Sequence, residues 1–369
     1  MSDITYSSDN FKERTKRVRV LIVAATLPIV GGQTVQADRL LQRLQNDGRV
    51  EADILSINPV FLPQLQKIKY VRTLITWPKY LFDLLNTVGK YDVIHIFSAS
   101  YLSFVISPTP AMIVAKLLGK KTILNYHSGE AEDHLKRWPV TAPLTINEFD
   151  RIIVPSNYLV DVFAKFSFKA EPIFNFIELD QFPFRERPAL KPIFLSNRNF
   201  EPHYNVADIL RAFRLIQNEF TNASLIVVGD GSQREYLHSL SNELGLQNVD
   251  FRGSVDPNEI SQIYNEADIY LNSSSIDNMP LSILEAFASG LPVITTNAGG
   301  IPYIAENEVT ALLSETEDHQ ALALNALRVL NDSTLAANLI EAAKNEVQKY
   351  SWKNVGDQWV DTYTELATK

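Results

Sequence analysis

Residues 269–304 read IYLNSSSIDNMPLSILEAFASGLPVITTNAGGIPYI, and this stretch decides the fold prediction. A short apolar run at 269–272 is followed by a polar turn and then by an apolar helical run at 281–289. Gly290 favours the end of that helix, and the β-branched run 293–296 follows it. A strand, a helix and a second strand in this order predict a parallel β-α-β unit.

The same alternation extends from this unit in both directions. Further short apolar runs predict buried strands at 18–24, 93–97, 121–126, 151–155, 193–196, 225–228 and 249–251. Segment 182–192 carries three prolines and four charges, a composition typical of a linker. We therefore expect an α/β protein with two doubly wound, Rossmann-like domains facing a cleft. The predicted domains are residues 1–185 and 186–350, with a C-terminal helix at 351–369 that packs back towards the first domain.

The turn around Pro280 has the composition of an anion-binding helix N-terminus. Pro280 suits a first helical turn, where its missing N–H costs nothing. The free N–H groups of that turn and the positive end of the helix dipole predict a diphosphate site. Glu285 lies one turn further on and can accept hydrogen bonds from two vicinal hydroxyls, as a ribose presents. Taken singly, Asp277 as a helix cap and Glu285 as an exposed acid are the simpler interpretation.

Asp277 and Glu285, eight positions apart, resemble the paired acidic motif of retaining GT-B glycosyltransferases of family 4 (group 1), and 286–294 and 298–300 match its continuation. This combination is more specific than a lone glycine motif. The resemblance implies the GT-B architecture and transfer of a sugar from a nucleotide donor. It also implies that Glu285 holds the nucleotide ribose. The remaining donor-side residues implied by the resemblance are Asp277, Asn278, Met279, Pro280 and Leu281.

Other positions gain a role only through the resemblance. Gly31 and Gly32 match a glycine loop near the donor phosphates, although a tight turn before a helix is equally compatible. His127 follows a predicted strand and would lie near the transferred sugar. Gly229 would line the nucleotide side of the cleft, and Val255 would lie beside the base.

Two further groups of polar residues have simpler interpretations. His95 lies inside an apolar run and is expected to be a hydrogen-bonded core residue. Charged residues at 130–134 follow His127, and we expect a solvated loop there rather than an acceptor site.

The sequence departs from the family pattern at the diphosphate cations. Arg198 is present and can bind a phosphate bidentately, but the usual lysine a few residues later is absent. His203 or Tyr204 would have to replace that lysine, or the backbone turn at 278–281 would carry more of the charge. The first acid is Asp277 rather than a glutamate.

The composition excludes several classes of function. A net charge of −9 argues against general nucleic-acid binding. The absence of cysteine excludes disulfides and thiolate metal sites. We expect no metal and no cofactor, because the charge of the leaving diphosphate can be met by Arg198 and helix N–H groups. The polar N-terminus is not expected to be a secretory signal, and we expect a cytoplasmic location, with peripheral contact at the inner membrane face as an option.

Several functional alternatives follow. A UDP-sugar is the default donor, and the acceptor is a glycan, a lipid-linked molecule or a small molecule. Segment 64–85 mixes basic and aromatic residues and either contacts an anionic membrane face or lies buried with a basic outer face. Its members are Lys67, Lys69, Tyr70, Arg72, Trp77, Lys79, Tyr80 and Phe82. A catalytically silent GT-B subunit is the main alternative to an enzyme. A nicotinamide dehydrogenase is disfavoured, because no Gly-x-Gly-x-x-Gly follows the first strand.

Overall fold

The structure is a computed structural model that describes residues 17–26, 31–60, 69–98 and 100–369, except for the side chains of 69–75. Two six-stranded sheets, each parallel throughout, form the framework. The strands of the first sheet are β1 (Val18–Ala24), β2 (Val50–Ser56), β3 (Val93–Ser98), β4 (Lys121–Tyr126), β5 (Arg151–Val154) and β6 (Glu171–Pro172). Those of the second are β7 (Ile193–Asn197), β8 (Ser224–Val228), β9 (Val249–Gly253), β10 (Ile269–Leu271), β11 (Val293–Thr296) and β12 (Leu312–Ser314).

Helices connect these strands, as parallel neighbours require. Around the first sheet they are α1 (Gly32–Asp47), α2 (Lys69–Thr87), α3 (Leu102–Ile106), α4 (Pro108–Leu117), α5 (Ala131–Arg137), α6 (Thr141–Ile146) and α7 (Asn157–Lys165). Around the second they are α8 (Val206–Glu219), α9 (Arg234–Glu243), α10 (Ile260–Glu266), α11 (Leu281–Ala288), α12 (His319–Asn331) and α13 (Ser333–Glu346). The last helix is α14 (Trp352–Thr368). Short 3₁₀ segments lie at Val88–Lys90, Leu179–Gln181, Pro202–Tyr204, Ile301–Tyr303 and Val347–Tyr350.

The strand orders confirm the doubly wound α/β prediction. The first sheet has the order β2-β1-β3-β4-β5-β6, and the second has β12-β11-β10-β7-β8-β9. The direction in which successive strands are added to the sheet therefore reverses between β1 and β3 in the first sheet and between β7 and β10 in the second. In such sheets ligands bind at the carboxyl ends of the strands beside this switch point. Gly31 follows β1, and Arg198 and Asp277 follow β7 and β10.

The helix that ends the chain, α14, packs against the first sheet. Trp359 and Tyr363 are buried there, and the Trp359 ring stacks on His95 with centroids 4.7 Å apart. The Tyr363 hydroxyl lies 2.8 Å from Nδ1 of His95. Beside the entry to this helix, Ile177 donates its N–H to the Tyr350 carbonyl at 2.9 Å. The two chain crossings between the sheets therefore lie side by side.

Segment 182–192, predicted to be a linker, is attached to the second domain through the Arg187 side chain. The Arg187 side chain is 1% exposed and donates to the carbonyls of Ser289 and Gly290 at 2.6 and 3.0 Å. It also donates to the Tyr264 and Ala267 carbonyls at 3.2 and 3.0 Å. A cation is favourable at these helix C-termini because their carbonyls and the helix dipole present negative charge. The segment is thereby fixed to the second domain.

Candidate active site

The loop between β10 and α11 is held by the glycine pair that follows β11. Gly300 donates its N–H to the Asp277 carbonyl at 3.0 Å. A Cβ atom on Gly299 would lie 2.2 Å from that carbonyl oxygen, and one on Gly300 would lie 1.9 Å from the Asn278 carbonyl oxygen. The close approach that these glycines permit is thus an approach of backbone to backbone. It fixes the position of the residues that precede α11.

The N-terminus of α11 opens towards the cleft. Pro280 is extended, with φ −68° and ψ 116°, and the helix begins at Leu281, so the prediction that Pro280 lies in the first turn is wrong by one residue. Its carbonyl accepts the Ile283 N–H at 3.2 Å. Within the described part of the chain, the N–H groups of Leu281 and Ser282 have no backbone acceptor. Met279 is only 4% exposed and packs into the core of the second domain.

Arg198 and Asp277 form a buried ion pair at this N-terminus. Their side chains are 10% and 11% exposed, and Arg198 also donates to the Ser282 hydroxyl at 3.2 Å. Although burial opposes the charged form, the Asp277 carboxylate keeps the pKa of Arg198 above its ordinary value. Asp277 also accepts the Asn278 N–H at 2.9 Å. Sequence reasoning predicted both residues but not their pairing.

The position expected for the missing lysine is filled without a cation. The Tyr204 ring lies under the Arg198 guanidinium, with the ring centroid 4.0 Å away. The His203 side chain is exposed, while its carbonyl accepts the Ser275 N–H at 2.8 Å. The structure therefore gives Tyr204 a contact with Arg198 and gives His203 a backbone role.

Glu285 is buried rather than an exposed helix acid. Its Oε2 atom accepts a hydrogen bond from the Tyr264 hydroxyl at 3.1 Å, and its Oε1 atom accepts one from Nη2 of Arg39 at 3.3 Å. The Arg39 and Glu285 side chains are each 9% exposed. Burial raises the pKa of Tyr264 well above its ordinary value, so it stays a hydroxyl donor. Arg39 belongs to α1, so this ion pair joins the two domains.

Sequence reasoning missed Arg39. The signal available was a stripe on α1, formed by Gln36, Arg39 and Arg43 at helical spacing, beside the apolar residues that face the sheet. Only the packing of the two domains shows what this stripe contacts.

His127 lies across the cleft from the α11 loop. Its ring stacks on Phe97, with centroids 5.0 Å apart, and its carbonyl accepts Nδ2 of Asn278 at 3.3 Å. Its Nε2 atom is buried and has no partner among the described residues. Burial lowers the pKa of His127 to about 3, so the ring is neutral at physiological pH. The Ser156 hydroxyl, also on the first domain, donates to Oδ1 of Asn278.

The four remaining residues predicted at the site lie at its edges. Gly31 caps the N-terminus of α1, and Gly32 begins that helix with open space around it. Gly229 packs on the Arg198 backbone, because a Cβ there would lie 2.1 Å from the Arg198 carbonyl oxygen. Val255 follows β9 and is half-buried against the core of the second domain.

A second part of the cleft has a volume of about 550 Å³ and lies between α5 and the 275–276 turn. Its lining includes Glu130, Glu132 and Asp133, together with the rings of Tyr101 and Tyr158. These acids line the cleft while remaining accessible to solvent, since Glu130 is exposed and the Asp133 side chain is 46% exposed. Glu132 and Asp133 lie on a helix, α5, rather than in a loop. His134 is instead a buried residue whose Nδ1 lies 2.8 Å from the Tyr126 hydroxyl.

Two family models match adjoining parts of the chain and together cover residues 30–346. Residues 30–181 match the model described as Glycosyltransferase Family 4, and residues 180–346 match that of Glycosyl transferases group 1. The chain belongs to the group 1 glycosyltransferases.

Individual relatives of this glycosyltransferase are distant. An uncharacterised glycosyltransferase of Methanocaldococcus jannaschii is 24% identical, over 91% of this chain and 94% of that protein. The sulfoquinovosyl transferase SQD2 of Arabidopsis thaliana is 27% identical over 72% of this chain, which spans 54% of that protein.

Solved structures share the fold of this glycosyltransferase. HepE of Anabaena, in complex with UDP and glucose, has a TM-score of 0.73 at 16% identity over 95% of this chain and all of its own. Sucrose-phosphate synthase of Thermosynechococcus elongatus has a TM-score of 0.76 at 19% identity, covering 95% of this chain and 99% of its own. Both likenesses confirm the GT-B architecture predicted from the sequence.

Proposed function

We propose that this glycosyltransferase transfers a sugar from a nucleoside-diphosphate sugar to a hydroxyl acceptor with retention of anomeric configuration. The observation that carries the proposal is the buried Arg198 guanidinium at the open N-terminus of α11. Departure of a nucleoside diphosphate develops negative charge on the leaving phosphate. A fixed cation and free helix N–H groups, already oriented, stabilise that charge in the transition state.

The other polar groups of the cleft take complementary roles. The Glu285 carboxylate receives the ribose hydroxyls, and Asp277 holds Arg198 while facing the donor sugar. The neutral His127 ring offers its unpartnered Nε2 atom to a sugar hydroxyl. UDP-sugars are the proposed donor class, in line with the UDP and UDP-glucose complexes of HepE.

Retention is proposed from the family resemblance. In that mechanism the acceptor approaches from the face that the diphosphate leaves. The anomeric configuration of the first product, read from proton coupling in its NMR spectrum, tests this assignment. An inverted product would contradict it.

The 550 Å³ part of the cleft is the proposed acceptor side. Carboxylates accept hydrogen bonds from hydroxyls, and tyrosine rings pack on the apolar faces of sugars. Arg137 also lines this part of the cleft and pairs with Asp133. Lys136 and Lys165 pair with Glu132, so the acidic charge of the lining is largely balanced. We therefore propose a neutral polyhydroxylated acceptor. Activity on a phosphorylated acceptor in preference to its neutral counterpart would contradict this assignment.

A membrane contact is proposed for the outer face of α2 and its neighbours. Tyr80 and Leu84 of α2 are buried, whereas Phe82 and Leu85 are 66% and 65% exposed. Other exposed apolar residues of this domain are Leu102, Ile113, Leu117, Val140 and Leu144. An apolar surface of this kind fits the interface of a bilayer that carries a lipid-linked acceptor. The burial of Tyr80 and Leu84 equally agrees with the alternative of a helix packed on the sheet with a basic outer face. The side chains of Lys67, Lys69, Tyr70 and Arg72, which would form that face, lie outside the described ones.

Sedimentation with anionic vesicles tests the membrane contact. Wild type should pellet with the vesicles, and Phe82→Ser/Leu85→Ser should remain in the supernatant. Equal sedimentation of both proteins would exclude this surface. Among the described residues, no helix is long and apolar enough to cross a bilayer.

The donor proposal is tested by thermal stabilisation with UDP, GDP and ADP. A ligand at about a hundred times its dissociation constant stabilises the fold by about 2.7 kcal/mol. Stabilisation by one nucleotide, lost in Glu285→Gln, would support the donor site. A catalytically silent subunit is the second candidate, favoured by the absence of the second diphosphate cation. It predicts nucleotide binding without donor hydrolysis or transfer.

A further inference from the structure

Arg39 is a buried cation whose hydrogen-bonding capacity is only partly used. Its Nη2 atom donates to Glu285, while its Nη1 atom is buried and has no partner among the described residues. The side chain is 91% buried. An unpartnered charged donor at this depth is costly unless a ligand completes it.

A smaller cavity, distinct from the 550 Å³ part of the cleft, lies beside the Arg39 guanidinium. It has a volume of about 140 Å³ and lies between α1 and the loop that follows β9. Its apolar lining includes Val35, Ile54 and Pro257, and its polar lining includes Thr34, Arg39 and Asn258. Apolar walls with hydrogen-bonding groups among them suit a planar heterocycle with polar edges.

The geometry at Glu285 leaves room for a ribose alongside Arg39. An ionised carboxylate has about four acceptor positions, and the protein uses one for Arg39 and one for Tyr264. The two free positions match the two hydroxyls of a ribose. Arg39 contacts Glu285 and also lines the cavity, so a ribose at Glu285 and a base in the cavity would both adjoin Arg39.

We infer that Arg39 is a donor-binding residue contributed by the first domain, and that the cavity beside it takes the base of the nucleotide. This inference rests on the proposed function. Nη1 of Arg39 donates to a carbonyl oxygen of the base or to a ribose oxygen, and Nη2 orients Glu285. The nucleoside thereby contacts both domains, although the diphosphate cation Arg198 belongs to the second domain alone.

Nucleotide affinities of matched variants test the inference by calorimetry. Arg39→Gln removes the charge, and Arg39→Lys keeps the charge but loses the second nitrogen. The control is Arg43→Gln on the same helix, since Arg43 pairs with Glu178 at 2.8 Å and lies outside the cavity lining. The probes are UDP, uridine and inorganic pyrophosphate.

Loss of a charged hydrogen bond should weaken UDP and uridine binding by about 10- to 100-fold in Arg39→Gln. Pyrophosphate binding should stay within about threefold, since the proposed diphosphate site is formed by Arg198 and the N-terminus of α11. Arg43→Gln should bind all probes as wild type does. Arg39→Lys should show an intermediate loss, and it decides the case if Arg39→Gln does not fold.

The failures of the two proposals differ. Wild type that binds no nucleotide would overturn the proposed donor site and this inference together. Wild type that binds UDP, with Arg39 variants of equal affinity, would overturn only the role of Arg39. Equal weakening of UDP, uridine and pyrophosphate would also overturn it, because that pattern describes a structural contact between domains.

Discussion

Replacement of Gly300 by alanine displaces the loop that precedes α11 without changing any polar group. The new Cβ would lie 1.9 Å from the Asn278 carbonyl oxygen, and contacts under 3.0 Å do not persist. Backbone must therefore separate by about 1 Å, because both contacting atoms are fixed to the main chain. Gly300 itself has φ −87°, which alanine adopts without strain, so the effect is one of contact alone.

A shift of about 1 Å carries a hydrogen bond of ordinary length out of bonding range. Misplacement of this size lowers reaction rates by about 100-fold. We expect Gly300→Ala to lower kcat/KM for donor hydrolysis by about that factor, measured as release of nucleoside diphosphate. Gly89→Ala is the control, since its Cβ meets nothing closer than 4.0 Å. Hydrolysis by Gly300→Ala within threefold of wild type would refute the reasoning.

Three further predictions concern buried charge. Arg187→Met should lower the free energy of unfolding by about 3–5 kcal/mol in urea titration, because it removes the donor from several helix-end carbonyls, while Asp268 keeps its pairing with Arg185. The exposed Arg234→Met should cost under about 1 kcal/mol, and equal losses would contradict this. Burial lowers the pKa values of His95, His127 and His134 to about 3, 3 and 4. Near and below pH 6.5 the unfolded chain therefore binds more protons than the folded chain. The free energy of unfolding should fall as pH drops from 6.5 to 5.5, by up to about 1.4 kcal/mol per histidine and pH unit. No fall in that window would contradict neutral buried rings. Arg198→Lys keeps the charge but loses the fork, so UDP binding should weaken by about tenfold while uridine binding is unchanged; calorimetry decides, and equal effects on both ligands would argue against a phosphate contact.

Much of the fold was predictable because parallel strands covered on both faces are short apolar runs. The runs at 18–24 and 121–126 correspond to β1 and β4 residue for residue. The strand β2 escaped prediction because its residues alternate between buried and exposed positions, which weakens the apolar run. Asp277 and Glu285 were singled out by the resemblance to the family motif, since Asp277 lies in the loop before α11 and only Glu285 lies on the helix.

Contacts between distant segments were not predictable in the same way. Glu285 meets Arg39 only because the two domains face each other, and no local pattern encodes that orientation. The docking of Arg187 on two helix ends has the same cause. Glu130 and Asp133 were expected in solvent and remain accessible to it, but no local pattern indicated that they would line the cleft.

The side-by-side passage of the chain between the sheets limits how the cleft can open. The hydrogen bond between Ile177 and Tyr350 joins the segment that enters the second domain to the segment that leads back to the first. The two connections between the domains therefore lie at one place and would act as a single hinge. A rotation about this pair of segments would break the contacts of Asn278 with Ser156 and of Arg39 with Glu285 together, while leaving the packing of α14 on His95 intact. Because α14 follows the second domain in the chain yet packs on the first sheet, it would keep the two domains aligned during such a rotation.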